Sequence, residues 1–340
     1  MAISGLVFSP KEWRVAIAEE STFGTAVTSG FLELYVTSIS KVDYSGIVKD
    51  DTPRFAGKRV RDVGDVHVQL AGGQYAYDFE CVLTATTSDL LMYGVLQNVV
   101  EDMSSPFKKD YVVDENTTQP DFSANAGKFY TFLLHNPITS ESELLTSAIL
   151  ENLTVFYAAG SNGGRLMASG RFVSGFAPNV GLDSSGYSFT SPGTAFYNTD
   201  DIVKKQINSV DMVLEAFSFN YTNGFQRFPS GGGDSSGDAE TYALTNYDME
   251  GSSITVKYDA NSKTFIDDFV AGTTRKIQID YGTTGNDSAF IQTINNAELE
   301  GYEKDLSGGI AMVTIPFKLA QTGSTNAIDI EISNAEDRTW

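Results

Sequence analysis

The sequence predicts a mainly β protein built as two tandem β-sandwich or half-barrel domains, each with one short flanking α-helix. Three observations predict this. The 340 residues include 22 Phe and 16 Tyr, with 31 Gly punctuating short runs, which is strand-and-turn chemistry. Apolar and polar residues alternate with period two in several of those runs. The chain also matches itself at about half its length, as a duplicated and diverged domain would.

The internal match has several anchors. Tyr44-Ser45-Gly46 is answered by Tyr221-Thr222-Asn223-Gly224, with Gly46 and Gly224 separated by 178, and Gly73 meets Gly251 at the same 178. Further on, Tyr157, Gly163-Gly164 and Phe172 meet Tyr302, Gly308-Gly309 and Phe317 at 145. The drop of 33 marks an extra stretch in the first copy between residues 97 and 140. The expected domains are 1–180, with an N-terminal arm and an insertion at 97–127, and 181–340, with a C-terminal arm. Each is long enough for its own core.

In chain order, the first clear strand sets Tyr75, Tyr77, Phe79, Cys81 and Leu83 against Gln74, Ala76, Asp78, Glu80 and Val82. A strand of that period has one apolar and one largely polar face. Its counterpart sets Ile254, Val256 and Tyr258 against Thr255, Lys257 and Asp259. A helix is expected directly after each. In the first copy Thr87 or Ser88 caps, and Leu90, Leu91, Gly94 and Val95 form the stripe. In the second, Ser262 caps, Phe265, Ile266, Phe269 and Val270 share a face, and Gly272 lies beyond the end. Each helix is expected to cover an open sheet face. Hairpins are predicted around SNGG in ILENLTVFYAAGSNGGRLMASGRFV and around SGG in INNAELEGYEKDLSGGIAMVTIPF.

Three segments read as loops. Residues 47–66 carry a basic cluster, Lys49, Arg54, Lys58, Arg59 and Arg61. Residues 97–127 are rich in Asp, Asn, Ser and Pro, and residues 229–240 are acidic and glycine-rich. The third stands where the basic loop stands in the first copy. A basic loop meeting an acidic neighbour would explain the divergence, and a plain solvated charge run would also.

A formal net charge of -21 argues against a static grip on nucleic acid or an anionic membrane. The single cysteine, Cys81, allows no disulfide within one chain and reads as a small core residue. No signal peptide is expected from MAISGLVFSPKEW, and no apolar run approaches a membrane span. Catalytic chemistry is sparse. His67 and His135 have no metal-ligand spacing. Gly233-Asp234-Ser235-Ser236-Gly237 matches a hydrolase elbow only formally, because it lies in a polar glycine loop. Asp50-Asp51 and Asp267-Asp268 read as solvated charge, and Asp234, Asp238 and Glu240 lack EF-hand spacing for calcium. No enzyme activity, cofactor or metal is expected.

VAIAEESTFGTAVT at Val15 to Thr28, its echo SPGTAF at Ser191 to Phe196, and GSSITVKYDANSKTFIDDFVAGTTRKIQIDYG carry a family resemblance. So does the order strand, long loop, Gly-led alternating strand, short helix, closing hairpin. The chain resembles the major tail tube proteins of long-tailed, siphovirus-type bacteriophages, in a duplicated two-domain form, over roughly residues 10 to 320. The resemblance implies a small β-barrel or sandwich with a flanking helix. It implies hexameric rings stacked into a hollow tail, with only three two-domain chains per pseudo-hexameric ring. Implied partners are further copies of the chain, a tape-measure protein in the lumen, tail terminator and distal tail or baseplate proteins at the ends, and viral DNA in transit. The implied place is the virion tail, after synthesis in the host cytoplasm. On that reading Lys49, Arg54, Lys58, Arg59 and Arg61 form a ring-stacking loop. Asp78, Glu80, Glu298 and Glu300 are the expected lumen-lining residues, because their strands alternate most clearly. The alternative is a β-sandwich carbohydrate- or receptor-binding virion protein using Tyr187, Phe196, Tyr197 and Phe225.

Overall fold

A computed structural model describes residues 12–40, 48–50, 67–69, 75–102, 107–114, 117, 120–136, 141–229, 239–283, 288–321 and 326–334. The fold is mainly β. Among the described residues the first half contains β1 (Arg14–Glu19), β2 (Phe31–Ile39), β3 (Val48–Asp50), β4 (His67–Gln69), β5 (Tyr75–Val82), α1 (Ala85–Leu96), β6 (Val100–Asp102), β7 (Phe107–Val113), β8 (Tyr130–His135), β9 (Glu141–Ala158), β10 (Met167–Ser174) and β11 (Asn179–Asp183). The second contains β12 (Phe189–Thr190), β13 (Ile202–Ile207), β14 (Val210–Asp211), β15 (Leu214–Thr222), β16 (Phe225–Pro229), β17 (Ala239–Leu244), β18 (Ser252–Lys257), α2 (Phe265–Ala271), β19 (Thr274–Tyr281), β20 (Ser288–Leu299), β21 (Glu303–Asp305), β22 (Met312–Leu319) and β23 (Ile328–Asn334). No helix among the described residues is long and apolar enough to cross a membrane.

In the first half, β1 pairs with β2 and β8, β8 with β9, β9 with β10, β10 with β5, and β5 with β2, all antiparallel. The ring of pairs closes into a barrel. The second half repeats the sequence of pairs: β13 with β19, β19 with β20, β20 with β22, β22 with β18, and β18 with β15. Here β20 continues into β21, which also lies against β22. Among the described residues three strand pairings cross the expected boundary near residue 180: β9 with β15, β7 with β23, and the short parallel pairing of β12 with β2. The core follows suit. Tyr77, Phe132 and Phe172 from one half and Phe219, Ile315 and Phe317 from the other belong to one buried cluster.

Structural equivalence corrects the sequence spacing in places. β2 and β15 each bulge where they meet β5 and β18, at 36/38 and 214/216, which upholds the separation of 178 there. The following strand and helix are separated by 175, not the 178 of Gly73 and Gly251. Thr84 and Thr87 exchange cap hydrogen bonds (2.9 and 3.2 Å), as do Asp259 and Ser262 (2.8 and 3.1 Å). The helical runs end at left-handed Gln97 (φ 60°) and Gly272 (φ 63°), so both termini agree on 175. The first helix is therefore capped by Thr84, not Thr87 or Ser88. Ser262 does not cap α2 directly but opens a short 3-10 turn, Ser262–Thr264, that leads into it, with Asp259 accepting from the Ser262 amide.

The predicted stripe of α2 does not cover a sheet. Phe265 and Asp268 face inward, the latter held by Arg275, while Ile266, Phe269 and Val270 are exposed. The 97–127 segment is not a loop throughout. It holds β6 and β7, and β7 extends the second half's sheet at β23. Tyr111 and Lys109 on β7 reach the buried Asp89 carboxylate of α1 at 2.5 and 3.0 Å. Residues 48–50 form β3 against β4, and residues 239 and 240 begin β17.

Candidate functional site

The pairings place β2, β5, β10, β9, β15, β18, β22 and β20 side by side as one continuous sheet through both halves. Strand alternation turns one face into the core and leaves the other polar. On the polar face Asp78 lies opposite Arg171, Arg171 opposite Asn152, and Asn152 opposite Thr222. One step along, Glu80, Ser169, Thr154 and Asn220 form a parallel row. Thr255 faces Thr314 and Glu298 faces Lys318. The structure thus gathers Asp78, Glu80 and Glu298 on one face, with Glu300 joining through Lys318.

Charges on this face are arranged as cations flanked by acids. Arg171 lies 3.6 Å from Asp78 and 3.4 Å from Glu151. Lys318 lies 3.7 Å from Glu298 and 3.6 Å from Glu300. Burial raises the Glu151 carboxyl above its ordinary range, partly offset by Arg171. Neutral rows are stitched by side-chain hydrogen bonds, Thr154 to Asn220 at 3.0 Å and Thr255 to Thr314 at 2.9 Å. Sequence reasoning picked out the acids and placed Thr255 on a polar strand face, but did not single out Thr154, Asn220, Thr314, Arg171 or Lys318. Alternation was the available signal for them.

The centre of the sheet is the junction between halves. Along β9 and β15, Tyr157 lies opposite Phe217, their rings stacked 6.1 Å apart. Asn223, just past β15, donates to the carbonyls of Val95 (3.2 Å) and Leu150 (2.9 Å). This satisfies a helix-end carbonyl that would otherwise lack a partner.

The two sides of the sheet end differently from its centre. Among the described residues, Tyr35–Ile39 of β2 pairs only with β5, and β21 pairs only with β22. Beside β21, Leu306 is 70% exposed, and Ile310 is also exposed. These two edges and the bare face of α2 form the candidate interaction surface.

Other candidate residues are placed as follows. The backbone of Lys49 lies in β3, opposite Val68, while Arg54, Lys58, Arg59 and Arg61 lie outside the described residues, as does Gly233–Gly237. The aromatics of the carbohydrate-binding alternative are engaged: Tyr197 is buried, Tyr187 stacks on Phe31, Phe196 packs on Tyr35 and Phe225 on Tyr242. His135 is buried, its Nδ1 2.7 Å from the Ser184 hydroxyl. Cys81 is a buried free thiol. No protein-family model matches the chain, and no curated protein matches it.

Proposed function

We propose that this chain is the repeating structural subunit of a hollow tube, of the kind that forms the tail of long-tailed bacterial viruses. Copies add head to tail into rings, and rings stack into the tube. With two like halves per chain, three chains make a pseudo-hexameric ring. The observation that carries this reading is the sheet shared by both halves, polar and acid-bearing on one face and, among the described residues, open at both sides. Unpaired sheet edges are aggregation hazards unless something covers them, and a head-to-tail contact between unlike edges generates rings or helical filaments.

The polar face, with Asp78, Glu80, Glu298 and Glu300, lines the lumen. An acid-bearing wall lets DNA pass without a static grip, since retention would require clustered cations. The tape-measure protein occupies the same channel during assembly. Terminator and distal tail or baseplate proteins close the ends. Lys49, Arg54, Lys58, Arg59 and Arg61 meet acidic surface of the next ring. The chain's place is then the virion tail. Negative-stain microscopy of the purified protein is expected to show rings or tubes. A protein that stays monomeric by light scattering at every concentration and salt condition tried would rule the reading out.

A further inference from the structure

Inside the chain, β9 and β15 join the halves in one register, with Tyr157 opposite Phe217 and Ala158 opposite Ala216. Both strands have counterparts in the other half. The shared bulge equates β15 with β2 at a separation of 178. The β20–β21 run corresponds to β9 at a separation of 149. Leu150 faces Phe172 as Leu299 faces Phe317, and Thr154 faces Ser169 as Glu303 faces Thr314. Carried over, the register sets Ile39 opposite Leu306 and Ser40 opposite Asp305. One chain cannot make this contact with itself while β2 and β21 sit at opposite sides of its sheet.

We propose that the second half of each copy takes the first half of the next copy in this register, β21 against β2, repeating between chains the junction made within the chain. Ile39 and Leu306 then form the apolar cross-strand pair that Phe217 and Tyr157 form internally. The same operation covers α2. Inside the chain, β15 and β20 of the second half lie against α1. Their counterparts β2 and β9, arriving on the next copy, lie against α2. Val270, which corresponds to Val95 at a separation of 175, is 80% exposed where Val95 is 0%. The contact rests on the tube reading only in requiring a second copy of the chain.

The test uses thiols, because the chain's sole cysteine, Cys81, is fully buried. Directly opposed strand residues lie within disulfide reach. Assembled Ile39→Cys/Leu306→Cys protein is therefore expected to oxidise to a ladder of linked chains about tenfold faster than the Ile39→Cys/Lys304→Cys control. Val270→Cys should react with a maleimide readily in the unassembled chain and about tenfold more slowly once assembled. Tubes that form without the 39–306 link overturn the contact and leave the tube reading standing. So do tubes in which the Val270→Cys thiol stays fully reactive, which would assign that face to a different protein. A wild-type chain that never assembles defeats both.

Discussion

α1 and the helical run that ends in α2 both follow a reciprocal side-chain exchange and both stop at a left-handed position, Gln97 and Gly272, yet their surroundings are opposite. Eleven of the twelve residues of α1 are buried, whereas only Phe265 and Asp268 are buried in α2. Local signals explain why both segments are helical, but not this difference. Cover explains it: α1 lies under β7 and β9 of its own half and under β15, β20 and β23 of the other. An apolar helical stripe therefore records a need for contact, which neighbouring elements of the same chain need not meet.

Aspartate at the two equivalent valines tests this most severely. Val95→Asp places an unpaired charge in a sealed core and should cost on the order of 4 kcal/mol or more, enough to unfold much of the protein. Val270→Asp should shift stability by no more than about 0.5 kcal/mol. Urea midpoints of the unassembled chain read both. Equal losses would mean that α2 is covered within the monomer, and the contrast would fail.

Alanine at the two helix ends sharpens the comparison at smaller scale. Gly272→Ala forces a Cβ into left-handed backbone and should cost about 1 kcal/mol. Gln97→Ala leaves the backbone cost as it was. It removes hydrogen bonds to the Gly94 and Lys128 carbonyls (2.7 and 3.0 Å) and from the Lys128 amide (2.6 Å). Its expected cost is about 2 kcal/mol. Thermal unfolding would rank them, and a reversed order would show that the Gln97 side chain contributes little.

The smallest expected effect compares His135 on β8 with Asp280 on β19, equivalent positions at a separation of 145. Desolvation disfavours charge at both. The His135 imidazole is held below its ordinary value of 6.5, so its contribution is full above pH 6.5 and is lost as pH falls through the folded value. The Asp280 carboxyl is raised above its ordinary 3.8. Its contribution is full below pH 3.8 and is lost as pH rises through the folded value. His135→Gln should flatten the acid-side slope of stability below pH 6.5, and Asp280→Asn should flatten the opposite slope above pH 3.8. Unchanged slopes in urea titrations across pH would disprove the assignment.

Much of the strand pattern was legible in the sequence because alternation is a local property. Tyr77, Phe79 and Cys81 point inward, as do Ile254 and Val256. The hairpin turn around Gly163 and Gly164 was legible too, since both take positive φ. The first cap was misplaced because Thr84 and Thr87 cap each other, so composition does not separate donor from acceptor. β7 was missed because Lys108 and Lys109 mask its period, although Lys109 is neutralised by a carboxylate contributed from α1. The acids of the polar face were legible from alternation as members of strand faces. Their union on one sheet was not, because it depends on β9 finding β15, a pairing with no local sequence signal.

One late pairing bears on how the chain is made. Val113 at the end of β7 lies opposite Ile328 at the start of β23, so β7 gains this partner only after β23 has been made. Synthesis at roughly 5–20 residues per second separates them by roughly 10–40 seconds. Throughout that interval the nascent polypeptide carries a β7 margin that β23 has yet to cover.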